Sequence, residues 1–196
     1  MDTTVADPLV GRVLDGRYRI ESRIARGGMA TVYLALGSNL GDRAANLAAA
    51  QHRLSPQVRV TLASPVYETA PMYVTDQPAF LNMVLRGQTT LGPWELLRVI
   101  KGIEAEMGRD LEGGLRYGPR PIDIDILLYG ELVMQAPELE IPHPRIAERA
   151  FVLAPLADIA GDLRHPAIAR SVNDLLAAVP GRDTVVRTAI DLSVAV

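Results

Sequence analysis

Asp123 and Asp125 stand two residues apart in a run that alternates them with Ile122, Ile124 and Ile126, and Arg116 and Arg120 lie a few residues ahead. In a β-strand this alternation puts both carboxylates on one face and the isoleucines on the other. Carboxylates roughly 6 Å apart in an effective dielectric of about 20 repel by about 3 kcal/mol, a large share of a domain's stability. A positive partner is therefore expected beside them. Magnesium suits the pair, since it takes one or two carboxylates and completes its octahedron with water and phosphate oxygens. Arg116 and Arg120 add the planar, permanently charged donors that phosphate also needs. Taken alone, the pattern fits equally well an amphipathic strand with a solvated acidic face and ordinary surface arginines.

The elements that must position these groups follow from periodicity and punctuation. A strand is predicted at about 31–36, then a turn Gly37-Ser-Asn-Leu-Gly41, then an alanine-rich helix over about 42–54 with Asp42 in its N-terminal region. Two strand-like runs follow, Val58 to Tyr67 and Phe80 to Thr89, separated by a loop bearing Thr69, Pro71 and Pro78. Pro93 to Met107 reads as a helix with Leu96, Leu97, Ile100 and Ile103 as its apolar stripe, ended by Gly108. After the aspartate strand come shorter helical pieces from about 145 to 180 and a strand-like or frayed tail, Thr184 to Val196. The order β, α, β, β, α, β predicts an α+β, ferredoxin-like sandwich with additional C-terminal helices.

Composition narrows the function classes. The 196 residues are 48% hydrophobic, enough for one soluble enzyme domain with a sizeable core. No apolar run approaches a membrane-spanning length, and the start of the chain lacks a signal peptide's basic and apolar regions, so a cytoplasmic location is expected. The absence of cysteine excludes disulfides, zinc thiolates and a thiol nucleophile. A net charge of −3 argues against a nucleic-acid surface, so any phosphate affinity must be local.

Four separated blocks carry a family resemblance: Tyr33-Leu-Ala-Leu-Gly-Ser-Asn-Leu-Gly-Asp42, Asp76-Gln-Pro-Ala-Phe-Leu-Asn82, Arg116-Tyr-Gly-Pro-Arg-Pro-Ile-Asp-Ile-Asp125 and Ile141-Pro-His-Pro-Arg-Ile-Ala-Glu-Arg-Ala-Phe151. In order and spacing, over about residues 31–165, the chain resembles 6-hydroxymethyl-7,8-dihydropterin pyrophosphokinase, which moves a pyrophosphoryl group from ATP to a pterin alcohol in folate synthesis. The resemblance implies that Asp123 and Asp125 hold two magnesium ions on the triphosphate, with Arg109 and Arg120 offsetting charge as AMP leaves. It implies ATP contacts at Glu104, Arg109, Arg116, Arg120, Ile126, His143 and Arg149. It implies a pterin pocket at Gly37, Ser38, Thr69, Pro71, Phe80, Asn82 and Phe151, the two phenylalanines sandwiching the flat ligand. Gly113-Gly114 would let the segment from Asp110 to Arg116 close as a lid. The expected partners are these two small molecules, and the expected state is a monomer.

The chain departs from the family pattern at Lys101, where a glutamine is usual, at Tyr117, where a tryptophan is frequent, and at Pro144 after His143. None of these removes a charge that the chemistry needs. A larger departure is the stretch ahead of the first strand. Residues 9–35 resemble the opening of a bacterial serine/threonine protein kinase, but Ala25 replaces a loop glycine and no VAIK, HRD or DFG segment follows. Residues 31–35 fit both resemblances and cannot serve both, so residues 1–29 are expected to be a loosely held extension of a domain spanning 30–196. A chain beginning at Ala30 is expected to keep the melting temperature and turnover of the full chain, and a large loss of either would show that the extension is part of the fold.

Overall fold

The computed structural model of the chain describes residues 28–72, 74–110 and 118–193, with the backbone of two short strands ahead of them, β1 (Val13–Leu14) and β2 (Tyr18–Arg19). The main sheet begins with β3 (Ala30–Ser38). Helix α1 (Arg43–Leu54) follows, with Asp42 as N-cap accepting the Ala45 N–H at 3.0 Å and Leu47, Ala50 and Leu54 buried. The next run is divided into β4 (Arg59–Ala63) and β5 (Tyr67–Thr69). β6 (Phe80–Thr89), α2 (Pro93–Glu106) and β7 (Asp123–Tyr129) complete the βαββαβ unit. A small hairpin, β8 (Met134–Ala136) with β9 (Leu139–Ile141), precedes α3 (Ala150–Ala160) and α4 (Val172–Ala178), and β10 (Val186–Arg187) comes last.

Reading across the sheet, β7 pairs with β3, β3 with β6, and β6 with β4 and β5, all antiparallel. This is the ferredoxin-like order, with the first strand in the interior. Because β3 is paired along both edges, no edge remains for the preceding chain, and β1 and β2 pair with each other instead. Apart from these two strands and residues 28–35, the kinase-like stretch lies outside the described residues.

Alternation sorts the side chains into two layers. Val32, Leu34 and Leu36 of β3, Leu81, Met83 and Leu85 of β6 and Ile124 and Ile126 of β7 pack with Leu47, Leu54, Leu96 and Ile100 of the first two helices. On the opposite face Tyr33 and Val84 pack with Leu153 and Leu156 of α3 and Leu175 of α4. The later helices cover only part of this face, and the uncovered end becomes a cleft.

Three local features differ from the sequence reading. The run from Val58 breaks at Ser64-Pro65, where proline has no N–H for a ladder bond and the Ser64 hydroxyl accepts the Val84 N–H at 2.9 Å. The predicted turn at Gly37 starts later, because β3 runs on through Ser38, and the left-handed residue is Gly41, φ +67°. Among its described residues the tail is not one strand. There only Val186–Arg187 pairs, with β5, after which Thr188 donates its N–H and hydroxyl to the Val66 carbonyl at 2.9 and 3.0 Å and Ile190 and Leu192 return to the core.

Gly87 is needed for space. A Cβ there would lie 2.4 Å from Val58 Cγ1 and 3.2 Å from the Arg59 carbonyl oxygen, both on the segment β6 must pair with. Gly87→Ala is expected to lower unfolding free energy by about 1–3 kcal/mol, read by denaturant melts, with unchanged stability as the contrary result.

Candidate functional site

The cleft floor is the uncovered end of β3, β6 and β7, and its residues arrive by the two-residue period of each strand. Ala35 and Gly37 come from β3, Phe80 and Asn82 from β6, Asp123 and Asp125 from β7. Arg109 enters from the end of α2, Arg120 from the approach to β7, His143 from the turn after β9, and Arg149 and Phe151 from the start of α3. Together they enclose a cavity of about 240 Å³.

The carboxylates are held by cations in two sets. Asp123 contacts Arg109 closely through Oδ1 and Arg120 Nη1 at 3.2 Å through Oδ2. Asp125 Oδ2 lies 3.3 Å from Arg149 Nη1 and 3.7 Å from His143 Nε2. Burial pushes the His143 imidazole below its ordinary value, outweighing the pull of Asp125, and its Nδ1 accepts the Arg145 N–H at 3.1 Å. At neutral pH the ring is therefore uncharged with its proton on Nε2, and the Asp125–His143 approach is not an ion pair. Three guanidinium groups thus meet two carboxylates, and the cleft carries an excess of positive charge in a chain whose net charge is −3. Arg149 Nε is buried without an acceptor among the described residues, and its guanidinium carbon stands 5.6 Å over the Phe151 ring.

Arg109 is fixed from below by Glu104. That carboxylate is fully buried and accepts the Ile124 N–H at 2.8 Å, the Lys101 ammonium at 2.7 Å and the Arg109 guanidinium at closer range. Burial by itself would lower the Arg109 pKa, but Asp123 and then Glu104 outweigh it and the value is raised, so the group stays charged. A β-bulge positions His143. The register of β7 against β3 shifts between Tyr33 and Leu34, which leaves Leu127 as an extra residue whose carbonyl accepts the His143 N–H at 2.9 Å.

At the other end of the cavity Asn82 Nδ2 donates to Thr69 Oγ1 at 2.8 Å. That bond turns the amide oxygen toward Gly37, where an added Cβ would come within 3.2 Å of Asn82 Oδ1 and 3.8 Å of Phe80 Cδ1. Glycine is needed here to leave room, since its φ is not in the left-handed region.

Of the residues expected from sequence, Gly37, Thr69, Phe80, Asn82, Arg109, Arg120, Asp123, Asp125, His143, Arg149 and Phe151 line this one cavity. Four others are placed elsewhere. Ser38 is fully buried on the α1 side, accepting the Asn46 amide at 3.3 Å, because it lies one residue out of phase with Gly37. Glu104 sits beneath the cleft with its oxygens already engaged. Pro71 is half-buried and outside the lining. Ile126 belongs to the core layer and also borders a second, shallower recess shared with Leu97, Lys101, His143 and Pro144. Arg116 and most of the expected lid lie outside the described residues. Met72 and Gln77, which the sequence did not single out, also line the cavity, and the buried Asn39 lies just behind it.

The donor set fits magnesium. Two hard carboxylates keep about a third of their side-chain surface exposed, and no cage of three His, Asp or Glu ligands occurs among the described residues, which leaves coordination to be completed by water and phosphate oxygens. No described helix is long and apolar enough to cross a membrane.

Comparison with known proteins agrees with this geometry. Residues 33–161 match the family model for 7,8-dihydro-6-hydroxymethylpterin-pyrophosphokinase. A Pseudomonas aeruginosa protein named 2-amino-4-hydroxy-6-hydroxymethyldihydropteridine pyrophosphokinase is 45% identical over 151 residues, 76% of this chain and 91% of its own. A Bacillus subtilis protein of the same name is 46% identical over 69% of this chain and 81% of its own. A folate synthesis bifunctional protein of Arabidopsis thaliana is 55% identical over 66% of this chain, which spans only 27% of that longer protein. The fold is shared with the crystal structure of Plasmodium falciparum HPPK-DHPS, with TM-score 0.64 at 17% identity, over 78% of this chain and 46% of that one. Matched by the family model along most of its folded length, and aligned with nearly all of the Pseudomonas protein, the chain belongs to the 7,8-dihydro-6-hydroxymethylpterin-pyrophosphokinase family.

Proposed function

We propose that the cleft binds ATP and 6-hydroxymethyl-7,8-dihydropterin together and transfers the β,γ-diphosphoryl group of ATP to the pterin alcohol. The alcohol oxygen forms a bond to the β-phosphorus as the bond from that phosphorus to the oxygen shared with the α-phosphorus breaks. The alcohol proton passes to solvent, and AMP leaves. The observation that carries this reading is the junction, in one cavity, of a carboxylate and guanidinium cluster with a pocket walled by Phe80 and Phe151.

Asp123 and Asp125 would hold the two magnesium ions, which supply neutralisation of the triphosphate charge. The chain's own groups bind and align. Arg109 and Arg120 reach Asp123 from the phosphate end and are placed to donate to oxygens that gain charge as AMP leaves. The buried Nε–H of Arg149 would gain an acceptor from a phosphate oxygen. Neutral His143 presents an Nε2–H as a hydrogen-bond donor. The recess beside Ile126, Lys101 and His143 is the natural place for the nucleoside. Phe80 and Phe151 would stack on the pterin, with Asn82 offering its amide to the ring edge. With no nucleophilic side chain required, most of the barrier reduction comes from alignment and preorganised charge.

Incubation with ATP, magnesium and the pterin is expected to yield AMP only when the pterin is present, whereas ADP, or AMP made without pterin, would contradict the reading. Arg120→Ala is expected to lower kcat by about 10²–10³ in that assay, with little change in melting temperature. Phe80→Ala is expected to raise the pterin KM about tenfold, equivalent to about 1.4 kcal/mol, and to leave the ATP KM within about twofold.

A further inference from the structure

Asn39 is one of few polar side chains that the fold buries almost completely, at 1% exposure, and it does not line the cavity. It follows the last residue of β3 and joins both walls of the cleft. Its N–H donates to the Arg120 carbonyl at 3.2 Å and its Oδ1 accepts the Arg120 N–H at 2.9 Å, a reciprocal pair that fixes the Arg120 backbone. Its Nδ2 donates to Gln77 Oε1 at 2.9 Å and to the Pro78 carbonyl at 3.3 Å, in the loop that leads into Phe80. The amide orientation is unambiguous, because the Arg120 N–H can only donate and the Pro78 carbonyl can only accept.

Gln77 passes the restraint onward, since its Nε2 donates to the Val74 carbonyl at 2.7 Å while its side chain lines the cavity. Arg43 holds the end of the same loop at the Ala79 carbonyl, 2.8 Å, and ties it to Glu68 of the preceding strand β5, 2.8 Å, and Asn39 is the anchor that also touches the phosphate side. An amide needed only to satisfy a turn would bond within its own segment. This one spends its oxygen on a residue 81 positions later and its nitrogen on residues 38 and 39 positions later.

We propose that Asn39 is a positioning residue for the transfer: it touches neither substrate, but holds Arg120 and the Gln77–Phe80 loop in one register so that the pterin alcohol meets the β-phosphorus. This rests on the function proposed above. The two arms of the amide are separable. Asn39→Asp keeps an acceptor for the Arg120 N–H and removes the donor to Gln77 and Pro78, Gln77→Ala cuts the loop arm from its far side, and Asn39→Ala removes both arms.

The test is steady-state kinetics of AMP formation with each substrate varied, alongside the melting temperature of each variant. Asn39→Asp and Gln77→Ala are expected to raise the pterin KM about tenfold with the ATP KM within about twofold. Asn39→Ala is expected to add a fall in kcat of about 100-fold, because Arg120 then keeps only the backbone bond from residue 39 and its close alignment is lost. A purely structural amide would lower melting temperatures while leaving both KM values and the kcat of folded protein within about twofold, and that result overturns the proposal. Should Asn39→Ala fail to fold, an unchanged pterin KM in both remaining variants overturns it equally. A wild-type chain that makes no AMP would overturn the underlying reaction, and this inference with it, and is distinguished by involving no variant.

Discussion

Two like charges two residues apart on one strand are the constraint around which the rest of the structure is arranged. β7 cannot present Asp123 and Asp125 to the same cleft unless that cleft supplies positive charge, and the fold delivers it from three directions. Arg109 comes from the end of α2, Arg120 from the segment before the strand, and Arg149 from the start of α3. Each of these elements is set by apolar packing on one or other face of the sheet, so the electrostatics of the site depends on the hydrophobic layering beneath it.

The fully buried Glu104 shows the same dependence at closer range. A carboxylate in the core is tolerable only when paired and hydrogen-bonded. Lys101, Arg109 and the Ile124 N–H meet that condition, and in meeting it they tie α2, a cleft arginine and the aspartate strand to one another. A group that is costly to bury therefore becomes the support of a site residue. Asn39 plays the corresponding part among neutral groups, joining the end of β3 to both walls of the cavity.

Much of this was legible in the sequence wherever the information is local. The alternation of Asp and Ile over 122–126 gave the two faces of β7, Asp42 and Gly108 marked helix ends, and Phe80 with Asn82 shared a strand face as their spacing requires. What was not legible depends on contacts between distant segments. Nothing local marks Glu104 for burial, and its carboxylate is engaged by the Ile124 N–H of a strand distant in sequence. The bulge at Leu127 leaves no mark in composition, yet its carbonyl holds the His143 N–H. Ser38 was read with Gly37 as one turn, whereas the continuing strand sends its side chain to the helix side.

The proposed function requires that Asp123 and Asp125, within their ring of arginines, form a magnesium-assisted triphosphate site. The most direct measurement is calorimetric titration of a non-transferable ATP analogue into the wild-type chain and the Asp123→Asn/Asp125→Asn double variant, each with and without magnesium. Nucleotide affinity is expected to rise strongly with magnesium in the wild type and to be indifferent to it in the double variant, where the uncompensated arginines bind the bare triphosphate. Magnesium dependence that survives in the double variant, or is missing from the wild type, would contradict it.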